Sequence, residues 1–264
     1  MGEARAEGIV VGDGEASREI AALVRPGAAP GIFWLGCFRS DMNGAKAAAV
    51  DAFAAERGLA TIRFDYSGHG ASGGRFEDGT ISRWLEEAHA VFARFTHGPQ
   101  IVVGSSMGGW IALRLAVALR ETGRIAGLVL IAPAVDMTRA LMWDKMDGAT
   151  REELMATGAW RMPTQYAAEP YLITRSLIED GDRHLFGENL IEVGCPVTIL
   201  QGVADTEVPW RHAAALVSRL ASDDVVLTLV KDGDHRLSRL EDLARLRAAL
   251  ASAVADVVAV HARG

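Results

Sequence analysis

The chain has little of what a disulfide scaffold, a metal cluster or a membrane anchor requires. Cys37 and Cys195 are the two cysteines among 264 residues. That is too few for a disulfide framework or a cysteine-based metal site, and it fits a reducing compartment. Basic residues are not in excess. Lys and Arg number 27 against 34 Asp and Glu, for a net charge of −7, so the footprint expected of a nucleic-acid or anionic-membrane binder is missing. The apolar runs are too short and too interrupted to span a bilayer, so no stable membrane insertion is expected. The stretch Met1–Glu7 is polar, with no apolar h-region. No signal peptide is therefore expected, and the expected location is cytoplasmic. Fixed-period repeats and low-complexity tails are also missing.

What is present is a large reserve of core-forming residues. Half the chain is hydrophobic and 23% is charged, enough for one large domain, 1–264, with a substantial core. Short apolar, β-branched runs alternate with helical spacing. Gly31–Leu35, Ala60–Phe64, Ile101–Val103, Ile125–Ile131, Val197–Leu200 and Val225–Val230 have the composition of buried strands. Ala45–Arg57 (with Gly58 as its stop), Thr80–Phe95 (with Thr80 as N-cap), Trp210–Leu220 and Leu240–Val258 have helical spacing. Ile9–Val11 and the following Glu15–Val24 fit a hairpin, although Glu15–Val24 fits a helix equally. The alternation implies βαβ units: a mostly parallel central sheet with helices on both faces. It breaks over 136–193, a segment rich in Met, Trp and Arg and too long for a plain crossover, which predicts a helical cap insertion.

One motif organises the rest. Gly104-Ser105-Ser106-Met107-Gly108 is G-x-S-x-G, preceded by a strand and followed by the helical run Gly109–Leu119. Strand, tight turn and helix are the context of a nucleophile elbow. Ser106 is then the candidate nucleophile, near the positive end of the following helix, and the Met107 amide can face an oxyanion. Serine chemistry needs a base and an acid, in the chain order Ser, acid, His, on loops at the carboxyl ends of strands. His235 follows the last strand and is the candidate base. Asp205 follows Val197–Leu200 and is the candidate acid, with Glu207 and Asp136 as rivals. Asp234 adjoins His235, but neighbouring side chains diverge. His69, in the loop Asp65–Gly74, is expected to be an exposed loop histidine, with pocket lining as the other reading. His89, His97, His184, His212 and His261 are expected at the surface. The second oxyanion amide is expected after Gly31–Leu35, at Phe38 with Cys37 as the alternative. The insertion offers Met137, Leu141, Met142, Trp143, Met146, Leu154, Met155, Trp160, Met162, Tyr166 and Tyr171. Trp143, Trp160 and Met162 are the chosen candidates for an acyl pocket. Arg139, Arg161 and Arg175 are candidates for carboxylate recognition, set against scattered surface charge.

Several longer strings carry a resemblance. They are Phe38–Lys46, Arg63–Gly70, Gly98–Trp110, Val208-Pro209-Trp210 and Asp234-His235-Arg236. Together they are similar to the palmitoyl-protein thioesterase and acyl-glucuronide deacylase branch of the α/β-hydrolase superfamily, from Gly31 to the last helix. That branch includes a mitochondrial enzyme of animals and many bacterial relatives. The resemblance implies an α/β-hydrolase fold, a Ser106–His235–Asp205 triad, a helical cap, and hydrolysis of carboxylic esters or thioesters with no cofactor and no metal. The implied substrate is a small-molecule acyl ester or thioester, or an acylated protein. Cys37 departs from the glycine usual in the oxyanion turn of that branch. Two alternatives accompany this reading: the same triad acting on peptide, lactone or carbon–carbon bonds, and a non-catalytic binding module on the same fold.

Overall fold

The computed structural model describes residues 2–164, 169–221 and 224–261. The chain opens with β1 (Arg5–Val11) and β2 (Arg18–Arg25), paired antiparallel with Arg5 opposite Val24. This settles the ambiguous opening as a hairpin. Arg18, Ile20 and Ala22 point inward in alternation, the period-two pattern of a half-covered strand. Then follow β3 (Ala28–Leu35), α1 (Ala45–Arg57), β4 (Leu59–Phe64), α2 (Ile81–Phe95), β5 (Gln100–Ser105), α3 (Met107–Leu119) and β6 (Ile125–Ile131). The boundary signals act as expected. Gly58 takes φ 68 at the end of α1, a left-handed stop that costs glycine nothing. The Thr80 hydroxyl accepts from the Arg83 amide at 3.2 Å and caps α2.

The insertion follows β6. A π turn at Thr138–Met142 leads to α4 (Gly148–Thr157), β7 (Ala159–Met162), β8 (Tyr171–Thr174) and α5 (Arg175–Gly181). The expectation of a helical cap is thereby corrected in part. Two four-residue strands pair antiparallel, Ala159 opposite Thr174 and Met162 opposite Tyr171. Runs that short carry too little alternation to stand out in the sequence. The fold resumes with β9 (Val197–Gly202), α6 (Trp210–Arg219), β10 (Val225–Val230) and α7 (Leu240–His261).

The sheet has eight strands in the order β1-β2-β4-β3-β5-β6-β9-β10. The strand β2 is antiparallel to β4, and every pairing from β4 to β10 is parallel. Parallel strands must be covered on both faces, and the side chains divide accordingly. Ile32, Trp34, Ile101 and Val103 pack toward Val50, Phe53, Leu246 and Leu250 of α1 and α7. Phe33, Leu35 and Val102 pack toward Trp84, Phe92, Trp110 and Leu113 of α2 and α3. The sheet therefore delivers the ends of β3, β5, β6, β9 and β10 to one edge, where sites in open α/β sheets lie.

A buried charge cluster ties the hairpin to α2. Arg18 donates to Glu87 and Glu86, each at 2.6 Å, and Glu87, fully buried, also accepts from the Ser67 amide at 2.9 Å. Removing one partner of such a pair strands the other charge in the interior. Arg18→Ala is expected to lower unfolding free energy by about 3 kcal/mol, read as a shift of the urea midpoint with the slope unchanged.

Candidate active site

At the end of β5 the chain must reverse within one residue. Ser106 does so with φ 54 and ψ −117, a conformation disfavoured for a side-chain-bearing residue. Its neighbours hold it there. The Ser106 amide donates to Ile131 O at 2.9 Å, and the Ser106 carbonyl accepts from Gly109 N at 2.9 Å and Ala134 N at 3.1 Å. Glycine is obligatory two residues to either side. A Cβ on Gly104 would lie 2.4 Å from the Gly108 carbonyl oxygen, and one on Gly108 would lie 2.2 Å from that of Leu35.

The loops after β9 and β10 complete the arrangement. His235 Nε2 lies 3.0 Å from Ser106 Oγ, and His235 Nδ1 lies 2.8 Å from Asp205 Oδ2. A carboxylate only accepts, so the imidazole proton sits on Nδ1 and Nε2 faces the serine hydroxyl as acceptor. Asp205 is buried and held by three donors: the Glu207 and Val208 amides, each 2.9 Å from Oδ1, and Gln201 Nε2, 3.1 Å from Oδ2. A Cβ on Gly202 would meet the Gly233 carbonyl oxygen at 2.3 Å, so close contact between the two loops depends on that glycine. Buried Lys46 on α1 donates to the carbonyl of Arg236 and fixes the histidine loop from behind.

The rivals are occupied elsewhere. Glu207 lines the cavity but serves Asp205 through its amide. Asp136 accepts from the Phe186 and Gly187 amides at 2.9 and 3.0 Å, at the root of the cap. Asp234 caps the Leu237 amide at 3.0 Å. His212 lies 2.9 Å from the Val135 carbonyl, and His184 lies 2.7 Å from Ser82 Oγ, so both are structural rather than surface groups. Burial lowers the pKa of both.

A cavity of about 460 Å³ opens over Ser106. Its lining includes apolar Phe38, Met137, Leu141, Met142, Met162, Tyr171 and Val208 and polar Arg39, Ser40, Lys46, Arg236 and Ser238. Of the acyl-pocket candidates Met162 is among the lining residues, whereas Trp143 and Trp160 are not. Trp143 lies flat between Arg139 and Arg151, their guanidinium carbons 5.6 and 5.2 Å from its ring, and Trp160 packs on the core from β7. Met146 and Leu154 are core residues, Met155 is exposed, and Tyr166 lies outside the described residues. Arg139 pairs with Asp182 and Arg175 with Glu179, and neither they nor Arg161 line the cavity. The cationic side chains that do are Arg39, Lys46 and Arg236, hidden in sequence because each sits in a loop or helix start read for another purpose. Cys37 and Cys195 are both free thiols. Cys37 Sγ donates to Ser105 Oγ at 3.2 Å, and burial pushes the Cys195 thiol up to about 12.

The expectation for His69 is overturned. Its ring is 4% exposed, packed among Tyr66, Phe76 and Trp84. The glycine-rich loop around it suggests exposure, but the loop folds inward over aromatic residues that come from α2 and the turn before it.

Residues 42–180 match the Hydrolase_4 family model, described as serine aminopeptidase, S33. The chain is an α/β-hydrolase of this family. Palmitoyl-protein thioesterase ABHD10, mitochondrial, of Bos taurus is 37% identical over 218 residues, covering 82% of this chain and 70% of that protein. A crystal structure from Agrobacterium vitis S4 is 51% identical with a TM-score of 0.93, covering 95% of this chain and 99% of that one. The α/β hydrolase domain-containing protein 10 from mouse is 33% identical with a TM-score of 0.86, covering 95% and 99%. In this hydrolase no helix among the described residues is long and apolar enough to cross a membrane, and no described group of His, Cys, Asp and Glu is arranged to hold a metal ion.

Burial lowers the His69 pKa from 6.5 to about 4, so the folded hydrolase holds this ring neutral where the unfolded chain protonates it. Between those values the unfolded state binds more protons, and stability rises with pH. The His69 contribution is complete above pH 6.5 and is lost as pH falls toward 4, by about 3 kcal/mol. Urea midpoints measured from pH 7 to 4 are expected to fall less steeply in His69→Gln than in the wild type.

Proposed function

We propose that this hydrolase cleaves carboxylic esters or thioesters through a Ser106–His235–Asp205 triad and an acyl-enzyme. The observation that carries the reading is the continuous chain Ser106 Oγ, His235 Nε2 and Nδ1, Asp205 Oδ2, at 3.0 and 2.8 Å, beside a cavity lined in part by apolar side chains. His235 takes the Ser106 proton as Oγ attacks the acyl carbonyl, and Asp205 stabilises the imidazolium that forms. The Met107 amide, at the start of α3, and the Phe38 amide receive the tetrahedral oxyanion. Among the described residues neither amide donates a hydrogen bond, so both are available to it. His235 then protonates the departing alcohol or thiol. In the second half it activates water, which attacks the acyl-Ser106 ester and releases the acid. The chemistry needs no cofactor.

The acyl chain runs along Phe38, Met137, Leu141, Met142, Met162 and Tyr171. Methionines conform to chains of differing shape, which supports an aliphatic acyl group. The relatives named palmitoyl-protein thioesterase support a thioester, including one on an acylated protein, beside small acyl esters. The free thiols of Cys37 and Cys195 support a reducing compartment such as the cytoplasm, although those mammalian relatives are named mitochondrial.

Hydrolysis of p-nitrophenyl esters and acyl-CoA thioesters of increasing chain length tests this. Wild type is expected to show an optimum among aliphatic chains, and Ser106→Ala to lose roughly a million-fold in kcat. Equal rates in the two proteins would remove Ser106 as nucleophile. A wild type inert on every ester and thioester would redirect the search to peptide, lactone or carbon–carbon substrates.

A further inference from the structure

The loop that carries Phe38 is closed from within by Ser40, whose Oγ accepts from the Cys37 amide at 2.9 Å and donates to the Cys37 carbonyl at 3.0 Å. Arg39, the residue after Phe38, sits at φ 60, a left-handed backbone disfavoured for a side-chain-bearing residue. The Ser40 bonds end on Cys37, and further groups hold the loop from outside. Three groups from β4 and the loop after it do so. Arg63 Nη1 donates to the Met42 carbonyl at 2.8 Å, Asp65 Oδ1 accepts from the Met42 amide at 2.6 Å, and His69 Nε2 accepts from the Arg39 amide at 3.1 Å. The first two grip the far end of the loop, and His69 alone of the three grips the strained residue beside Phe38.

The His69 ring can accept there because its other nitrogen is committed. Nδ1 lies 3.1 Å from the Ser67 carbonyl, which also accepts from Trp84 Nε1 at 3.2 Å. The opposite tautomer would set an N–H against the Arg39 N–H and a lone pair against the Ser67 oxygen, two repulsions in a buried site. The Ser67 backbone is anchored in turn by Glu87, whose Oε2 accepts its amide at 2.9 Å.

Resting on the serine mechanism above, we propose that His69 is a positioning residue for the oxyanion hole: by accepting the Arg39 amide proton at Nε2 it fixes the left-handed turn that aims the Phe38 amide at the oxyanion. It acts through the loop and does not touch the reacting atoms. Burial keeps this histidine neutral, and so an acceptor, well below the ordinary histidine pKa.

The test uses the isosteric pair His69→Gln and His69→Met in the full chain. Gln offers a carbonyl oxygen near the Nε2 position, and Met fills the space with no comparable acceptor. His69→Met is expected to lose about 10- to 100-fold in kcat, with KM within twofold. Its affinity for a trifluoromethyl ketone, which mimics the tetrahedral oxyanion, should fall by the same factor, while affinity for the product acid is unchanged. His69→Gln should recover most of the loss. Wild-type kcat in a folded His69→Met, or equal losses of ketone and product affinity, would overturn the proposal. If neither variant folds, nitrogen-15 ring shifts of the wild type decide: a proton on Nδ1 alone supports it, and a proton on Nε2 overturns it. Ser106→Ala in the same assay keeps the two readings apart. Full activity there defeats the serine mechanism, whereas an inert Ser106→Ala beside an unimpaired His69→Met defeats only the role of His69.

Discussion

The structure turns on a backbone contact. Gly108 and the end of β3 approach so closely that no Cβ fits between them, and Ser106 is held at positive φ by hydrogen bonds to β6 on its other side. The strain at one residue is therefore distributed over three strands. It persists because parallel strands buried on both faces cannot shift independently. Ser106 is aimed by the sheet itself.

The remaining members of the site inherit their precision from the same edge. Asp205 follows β9 and His235 follows β10, adjacent strands in fixed register from Val225 opposite Val197 to Val230 opposite Gly202. Their loops are tied by backbone bonds, Val203 N to Val230 O at 2.8 Å and Ala204 N to Gly233 O at 3.0 Å. Asp205 and His235 are thus two outgrowths of one strand pair. Each carboxylate oxygen of Asp205 has its donors, so the buried charge is compensated before His235 is counted.

What could be read in advance followed from local rules. The turn at Ser106, the strands around it and the placement of Asp205 and His235 each combine a residue type with a strand end, and both parts are visible in one dimension. Gly58 and Thr80 are local in the same sense. The failures share a cause. The β7–β8 hairpin is too short to impose a period. Trp143 and Trp160 have the composition of a pocket, but only the turn of the cap decides which face they take, and it turns them toward arginines and core. The burial of His69 is not legible in the sequence because its surroundings arrive from α2 and from the loop after β3, both distant in sequence. Lys46 was obscured in the same way, its partner being the carbonyl of Arg236.

The hairpin in the cap has a consequence for how such enzymes diversify. Tyr171 on β8 stands edge-on to Phe38, with ring centroids 6.0 Å apart, and the Arg39 guanidinium lies 5.3 Å from the Tyr171 ring and 4.4 Å from that of Phe76. The cap hairpin thus rests on two residues of the loop after β3. A cap exchanged between family members brings one half of that stack with it and leaves the other half behind. The cap and the loop after β3 are then not separate modules, and a transplanted cap has to arrive with residues at 38 and 39 that fit its own hairpin.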